Sequence, residues 1–119
     1  AYAVQGGDGR AHPWGEKFDP GLCHSGIAVQ ADRPWRSLLP VASFPGDRSV
    51  QGIHDLAGSL SEFVLAEGLA PGFATVAGGN RADRQGERFT AWSRREILRR
   101  LPSENCGLRL ACDLDPQDR

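Results

Sequence analysis

Glycine and proline recur through the whole chain, and they limit the regular structure that it can form. Fifteen glycines and eight prolines are spread along 119 residues. Glycine weakens the interior of helices and strands, and proline removes a backbone hydrogen-bond donor. We therefore expect one small domain that is rich in loops and short strands and has few helices. The length suffices for one modest hydrophobic core.

Charge and hydropathy exclude several classes of protein. The formal net charge of −1 argues against a globally basic nucleic-acid-binding protein and against an acidic tail. No apolar run approaches the roughly 18 residues of a membrane span. The N-terminal segment also lacks the charged-then-apolar pattern of a signal peptide. The sequence therefore predicts no membrane partner and favours the cytoplasm without fixing the compartment.

The chain contains no methionine. It starts at Ala1-Tyr2-Ala3, without a capping residue or a turn ahead of that segment. We interpret it as a processed product or an excised fragment. Loss of the initiator methionine from a genuinely short protein is the alternative.

The cysteines and histidines form no recognisable cluster. The three cysteines lack Cys-x-x-Cys spacing, which favours buried free thiols, although one bridge plus one free thiol is also compatible with the count. The three histidines lack the spacing of a metal site, so we expect them to be structural or exposed. The adjacent pair Cys23-His24 is expected to point apart and not to act as a catalytic pair.

Local patterns predict where regular structure falls. Four segments are predicted to form short strands: 27–29, 40–45, 73–76 and 106–112. Residues 53–65 carry apolar side chains at helical spacing, which predicts an amphipathic helix, although Gly58 weakens this prediction. Ser93-Arg94-Arg95-Glu96 matches a capping box and opens a predicted helix that Pro102 ends. Gly46-Asp47 is predicted to be a turn.

Six short blocks match the signature segments of one family in the correct order. Near the start, Tyr2-Ala3-Val4-Gln5-Gly6-Gly7 is similar to a helix end with Arg-Gly-Gly, and His12-Pro13-Trp14-Gly15 to Tyr/Phe-Pro-Trp-Gly. Next, Pro40-Val41-Ala42-Ser43-Phe44 is similar to Pro-Val-Gly-Ser-Phe. The central block, Gly52-Ile53-His54-Asp55-Leu56-Ala57-Gly58-Ser59-Leu60-Ser61-Glu62-Phe63, is similar to Gly-Leu-Tyr-Asp-Met-Ala-Gly-Asn-Val-Trp-Glu-Trp. Finally, Ala77-Gly78-Gly79-Asn80 stands where Arg-Gly-Gly-Ser is usual, and Gly107-Leu108-Arg109-Leu110-Ala111 where Gly-Phe-Arg-Cys/Val-Ala is usual.

Together these blocks resemble the C-terminal half of a formylglycine-generating-enzyme, or sulfatase-modifying-factor, domain. The resemblance implies an α+β fold of the C-type-lectin-like kind, irregular, with short strands and few helices. It assigns residues 1–119 to the C-terminal part of one such domain. Because a half-domain leaves an apolar face uncovered, it also implies an N-terminal half that stays bound as a second chain or was removed.

The same resemblance implies that the chain lacks catalytic residues. Enzymes of the family hold copper(I) with two cysteines shortly after the Gly-Gly turn, since thiolates suit this soft ion. The matching positions here are Asp83 and Arg88, and neither side chain can hold copper(I) in that way. We therefore expect no copper cofactor. A related iron-dependent branch takes its metal from histidines of a different domain.

A calcium site is also implied by the resemblance. In the family one ion is held by an Asn or Asp side chain, two backbone carbonyls and a Glu. These ligands fall on Asp55, Gly58, Leu60 and Glu62. Ca²⁺ prefers hard oxygen ligands, and a turn at Gly58 would let carbonyls converge with two carboxylates. The alternative is that Asp55 and Glu62 are solvated charges on the predicted helix.

An arginine-rich segment follows the Gly-Gly turn. In relatives that use this fold for binding, such as the variable proteins of diversity-generating retroelements, this stretch forms the ligand face. The resemblance predicts a ligand-binding set: Asn80, Arg81, Arg84, Arg88, Phe89 and Trp92. Guanidinium groups pair with carboxylates or phosphates, and the aromatic rings can stack. The alternative is a solvated helix over residues 94–100 with pairs such as Glu96–Arg100.

Two functions follow as hypotheses. The first is a non-catalytic binding or scaffold module that recognises a protein or an anionic ligand, within a larger or proteolytically cleaved protein. The second is an oxidoreductase of the sulfatase-modifying-factor family, acting on a peptide or small thiol, with its metal ligands on the missing half. The loss of both copper-binding cysteines favours the first.

Overall fold

The computed structural model describes residues 2–27, 37–100 and 103–112. Its elements are α1 (Tyr2–Gln5), β1 (Ser61–Val64), β2 (Phe73–Ala77), a 3-10 helix (Gly86–Phe89), β3 (Arg94–Leu98) and β4 (Cys106–Gly107). The predicted α+β class, with short strands and few helices, is confirmed. Among the residues described, no helix combines the length and the apolar character needed to cross a membrane.

The four strands form one mixed sheet in the order β3-β2-β1-β4. β2 pairs antiparallel with both β1 and β3, and β1 pairs parallel with β4. In the parallel pair, Ser61 lies opposite Cys106 and Glu62 opposite Gly107. This register brings the segment after β4 to the central block.

The hydrophobic core lies among loops beside the sheet. Cys23, Ala57 and Phe89 form its buried centre, and Trp14 and Phe18 pack against them. The rings of Phe18 and Phe89 are stacked with their centroids 5.0 Å apart. A loop-based core is stable here because aromatic side chains bury a large area from few positions.

The block His12-Pro13-Trp14-Gly15 forms a tight turn that supports this core. His12 and Gly15 exchange two backbone hydrogen bonds of 2.9 and 3.0 Å. His12 Nδ1 lies 2.9 Å from the Phe89 carbonyl oxygen, and the imidazole stacks on Trp14. His12 is therefore a buried structural histidine.

The helix predicted for residues 53–65 is wrong. Residues 55–60 are a series of bends, and β1 follows them. Asp55 and Ser59 have φ angles of 56° and 69°, which lie in the left-handed region and break a right-handed helix. In place of helical hydrogen bonds, the backbone N–H groups of Leu56, Ala57 and Gly58 donate to the buried Asp47 carboxylate.

The helix predicted to start at Ser93 is also wrong, because residues 94–98 form β3. Their exposure alternates between exposed and half-buried, and all five residues pair with β2. The sheet ladder supplies the backbone hydrogen bonds that the helix would have supplied, so tertiary pairing overrides the local capping pattern.

The strand predictions have mixed outcomes. The strand at 73–76 is confirmed as β2. Residues 40–45 form turns in place of a strand, with Ala42 at a φ of 63°. The predicted strand at 106–112 is regular only over β4; beyond it Leu108 and Leu110 are exposed. The prediction for 27–29 falls largely outside the described residues.

Candidate functional site

Asp47 holds the central block in place through a buried carboxylate. This side chain is 1% exposed and accepts hydrogen bonds of 2.9–3.2 Å from the backbone N–H groups of Leu56, Ala57 and Gly58. Its own carbonyl oxygen accepts the N–H of Asp55 at 2.9 Å. The carboxylate of this one aspartate therefore accepts the backbone N–H groups that the bends of the central block leave without a partner in regular structure.

Burial raises the pKa of Asp47 to about 6, and the charge of Asp55 adds to this, whereas the N–H groups of Gly58 and Ala57 lower it. A raised pKa means that the folded protein binds this proton more tightly than the unfolded chain does. The protonated carboxyl stabilises the fold fully below the ordinary pKa of 3.8, and this stability is lost as the pH rises through about 6.

We expect the free energy of unfolding of the wild-type protein to fall by about 1 kcal/mol per pH unit from about pH 4 to about pH 6, relative to the Asp47→Asn variant. The amide does not titrate, so the variant isolates the contribution of this one group. Urea denaturation of both proteins across this range measures the difference. A difference that is constant with pH contradicts the raised pKa.

A second polar cluster joins β1, β3 and the Gly-Gly turn. The buried Ser61 hydroxyl donates to the Gly78 carbonyl oxygen and accepts from Asn80 and Arg95 at 3.1 and 2.8 Å. Arg95 also makes two hydrogen bonds of 3.1 Å to the carboxylate of Asp83, which in turn accepts the N–H of Asn80. Asp83 is thus held in a bidentate ion pair that braces the sheet.

Three of the residues predicted to bind a ligand lie inside the fold. Asn80, Arg81 and Phe89 are all buried. Arg81 donates to the Asn105 side chain at 3.2 Å and lies 3.6 Å from the carboxylate of Glu104. Because these side chains are buried, a ligand at the protein surface would contact other residues.

The other three predicted ligand contacts lie at the surface. Arg84 is exposed, Arg88 is half-buried and Trp92 is 58% exposed. Phe89 anchors the 3-10 helix in the core, so the neighbouring Arg88 is fixed to a rigid element. The structure therefore leaves part of the surface of Arg84, Arg88 and Trp92 exposed to solvent.

Arg109 borders a cavity of about 240 Å³ between the central block and the segment after β4. Its guanidinium makes an ion pair with Glu62 at 2.7 Å. It also donates to the carbonyl oxygens of His54 and Asp55 at 3.0 and 3.2 Å. The hydrogen bond that Arg109 donates to the Glu62 carboxylate raises the pKa of Arg109 above its already high value, so the cation is permanent.

Three of the four predicted calcium ligands line this cavity: Asp55, Leu60 and Glu62. The fourth, Gly58, packs against His24 and Cys23. The oxygen atoms of the predicted set do not form a free cage. The Asp55 carboxylate accepts the N–H of Ala42 at 2.9 Å, and the Glu62 carboxylate is paired with Arg109. Within residues 2–27, 37–100 and 103–112, no three His, Cys, Asp or Glu side chains are grouped to hold a metal. Glu62 is the member of the predicted set whose carboxylate Arg109 holds.

Other cavities lie elsewhere among the described residues. One of about 400 Å³ crosses the sheet beside Val64, Thr75 and Glu96. Another of about 560 Å³ lies beside Trp14 and Phe18. Neither is lined by a residue of the predicted ligand-binding set.

The cysteines are free thiols in three different environments. Cys23 is buried in the core, Cys106 is half-buried on β4 and Cys112 is exposed. Burial raises the pKa of Cys23, which keeps it as an unreactive thiol. The adjacent His24 ring stacks on Phe44. The prediction of free thiols is confirmed, whereas burial is wrong for Cys112 because the segment after β4 runs along the surface.

The sequence analysis does not predict the contacts of four residues that hold the site together: Asp47, Ser61, Arg95 and Arg109. No local pattern distinguishes Asp47 from an ordinary turn aspartate. The position of Arg109 can be predicted once β4 is known to pair with β1, because the observed register places this arginine near Glu62. Local sequence patterns do not reveal that pairing.

Comparison with known proteins finds a solved structure with a similar fold. No protein-family model matches the chain, and no curated protein matches it significantly. The crystal structure of CarF aligns with the chain at a TM-score of 0.70 and 23% sequence identity. The alignment covers 96% of this chain and 44% of the CarF chain. This chain is therefore similar in fold to one part of CarF, and it spans less than half of the length of CarF.

Proposed function

We propose that this chain is a non-catalytic binding or scaffold module of the formylglycine-generating-enzyme-like superfamily, with a C-type-lectin-like fold. It recognises a protein or an anionic ligand as part of a larger or proteolytically cleaved protein. The observation that carries the proposal is Asp83. Where enzymes of this family place their first copper-binding cysteine, a carboxylate makes a bidentate ion pair with Arg95. Such a pair offers no ligand for a soft metal ion.

The proposed ligand surface consists of Arg84, Arg88 and Trp92. Arginine and tryptophan are the side chains that most often contribute large binding energies at protein interfaces. Guanidinium groups pair with carboxylates through two parallel hydrogen bonds, and the exposed indole of Trp92 offers apolar area. An acidic protein segment fits this combination.

The N-terminal half of the same domain, as a separate or removed chain, is the second proposed partner. The likeness to part of CarF supports this, since the same fold occurs there within a longer protein. Several large apolar side chains of the chain are exposed, including Val41, Phe63 and Leu65. The remainder of such a domain would cover part of this apolar surface.

A labelled acidic peptide of repeated Glu-Ala tests the ligand surface, with a Lys-Ala peptide of equal length as the control ligand. We expect the wild-type protein to bind the acidic peptide in low salt. Arg88→Ala and Trp92→Ala are each expected to weaken binding by about 3- to 10-fold, and Arg48→Ala, an exposed arginine elsewhere, is expected to leave it unchanged. Fluorescence anisotropy of the labelled peptide measures the affinity of the wild-type protein and of the three variants. Equal binding of both peptides, or equal loss in the Arg48→Ala variant, contradicts an anionic ligand at this surface.

The oxidoreductase alternative is tested by metal analysis of the purified intact protein. Copper or iron in a stoichiometric amount supports the enzyme and contradicts the binding module. Calcium as the single bound metal supports the binding module.

A further inference from the structure

We propose that the outer edge of β3 is a dimerisation site, at which β3 of a second copy of the chain adds antiparallel to the sheet. β3 lies at one end of the strand order, and among the strands that the structure describes it pairs with β2 and with no other. An edge strand presents a row of unpaired N–H and C=O groups, which is a template for another strand. The second copy would join the two four-stranded sheets into one.

The ladder between β2 and β3 determines which backbone groups face this edge. The N–H of Gly78 donates to the carbonyl oxygen of Ser93 at 3.2 Å, and the N–H of Arg99 donates to that of Gly72 at 2.8 Å. Both bonds follow the register of β2 with β3. In an antiparallel ladder, every second residue bonds to a given neighbour. The residues of β3 whose backbone groups point to the outer edge are therefore Arg94, Glu96 and Leu98.

The exposed side chains of the same residues are complementary to a second copy. With Arg94 opposite Glu96 of the second copy, two-fold symmetry also places Glu96 opposite the second Arg94. Opposite charges then face each other on both sides of the axis. A shift of one strand by two residues places Glu96 opposite Glu96, or Arg94 opposite Arg94. Each cross-strand charge pair contributes roughly 0.2–1 kcal/mol, so the charges select this register while backbone hydrogen bonds hold the strands together.

The arginine at the centre of this register does not oppose the pairing. Arg95 faces Arg95 of the second copy, but its guanidinium reaches back across the sheet. It makes two hydrogen bonds of 3.1 Å to the Asp83 carboxylate and one of 2.8 Å to Ser61 on β1. Its charge is therefore paired away from the edge. Arg94 uses Nη1 for two carbonyl oxygens of its own chain, and a guanidinium has further N–H donors for a carboxylate.

Apolar contacts extend the interface beyond the charged pairs. Leu98 is 42% exposed, and Trp92, two residues before β3, is 58% exposed. The register places Trp92 of one copy beside Leu98 of the other. An interface of this small size makes a weak dimer that depends on protein concentration. The inference goes beyond the proposed ligand recognition. Because Trp92 also belongs to the ligand surface, the test changes Arg94 and Glu96, which do not.

The test is sedimentation velocity of the purified protein from about 10 μM to about 1 mM. We expect the average mass of the wild-type protein to rise from monomer toward dimer over this range. Arg94→Glu and Glu96→Arg each place like charges opposite each other, and each is expected to weaken dimerisation about 10-fold. An equimolar mixture of the two variants restores opposite charges at both pairs and is expected to dimerise as the wild-type protein does. So is the double variant.

The matched controls are Arg48→Glu and Glu67→Arg, which reverse exposed charges elsewhere and are expected to leave dimerisation unchanged. Hydrogen exchange locates the interface, since the amides of Arg94 and Glu96 are expected to exchange more slowly as the protein concentration rises. Recovery in the double variant excludes unfolding as the cause of the single-variant losses.

A wild-type protein that stays monomeric up to about 1 mM overturns the proposal and leaves the edge of β3 to a different occupant, such as an extended segment of another protein. A dimer that neither charge reversal weakens also overturns it. So does a mixture of the two variants that dimerises no better than each variant alone.

Discussion

Replacing Asp47 with alanine is expected to lower the free energy of unfolding by about 4 kcal/mol at a pH where the carboxylate is ionised. The carboxylate accepts the N–H groups of Leu56, Ala57 and Gly58, and the site is buried. In the Asp47→Ala variant these three donors lose their acceptor in a place that water reaches poorly. Each buried donor without a partner costs about 1–3 kcal/mol, and the losses are not fully additive.

Urea denaturation monitored by tryptophan fluorescence measures this loss. The matched control is Glu67→Ala, which removes an exposed carboxylate in the loop after β1 and is expected to change the free energy by less than about 0.5 kcal/mol. Asp47→Asn is expected to lie between the two, since the amide keeps one acceptor oxygen but turns N–H donors toward N–H donors. Equal stability of the Asp47→Ala and Glu67→Ala variants would show that the central block does not depend on this aspartate.

The α+β class is recoverable from sequence because it depends on features that are local. Frequent glycine and proline exclude long helices, and the apolar run at 73–76 becomes β2 because its residues suit a half-buried strand. Residues 93–100 show the limit of this approach. Their capping box favours a helix locally, whereas five paired residues in a sheet outweigh a cap that contributes about 1 kcal/mol.

The candidate site is less accessible to sequence analysis because it is assembled by long-range contacts. Asp47 and Gly58 are separated by eleven residues, and Arg109 reaches Glu62 across 47. The chemistry of each side chain limits the groups that it can bind. Which of those groups lies within reach depends on the path of the loops and on the parallel pairing of β1 with β4. The resemblance did not reveal that Arg109 pairs with Glu62 and with two carbonyl oxygens of the central block.

Replacing Gly58 with alanine is expected to destabilise the protein by about 3 kcal/mol, because there is no space for a methyl group at this position. A Cβ atom there would lie 2.6 Å from the carbonyl oxygen and 2.9 Å from the nitrogen of His24, and 3.1 Å from Cβ of Cys23. Two of these three neighbours are backbone atoms, so no side-chain rotation relieves the overlap. The chain would have to move the central block away from the core, and the hydrogen bond from Gly58 to Asp47 would lengthen with it.

Gly21→Ala provides the matched control, since its added methyl group would meet just the flexible Asp19 carboxylate at 3.2 Å. This exposed position is expected to tolerate alanine within about 0.5 kcal/mol. The melting temperatures of both variants and of the wild-type protein measure the contrast. If Gly58→Ala unfolds at the same temperature as Gly21→Ala, the central block does not pack against residues 23–24 as closely as the structure shows. A selective loss at position 58 shows instead that glycine is required there for contact between two backbones and not for a turn.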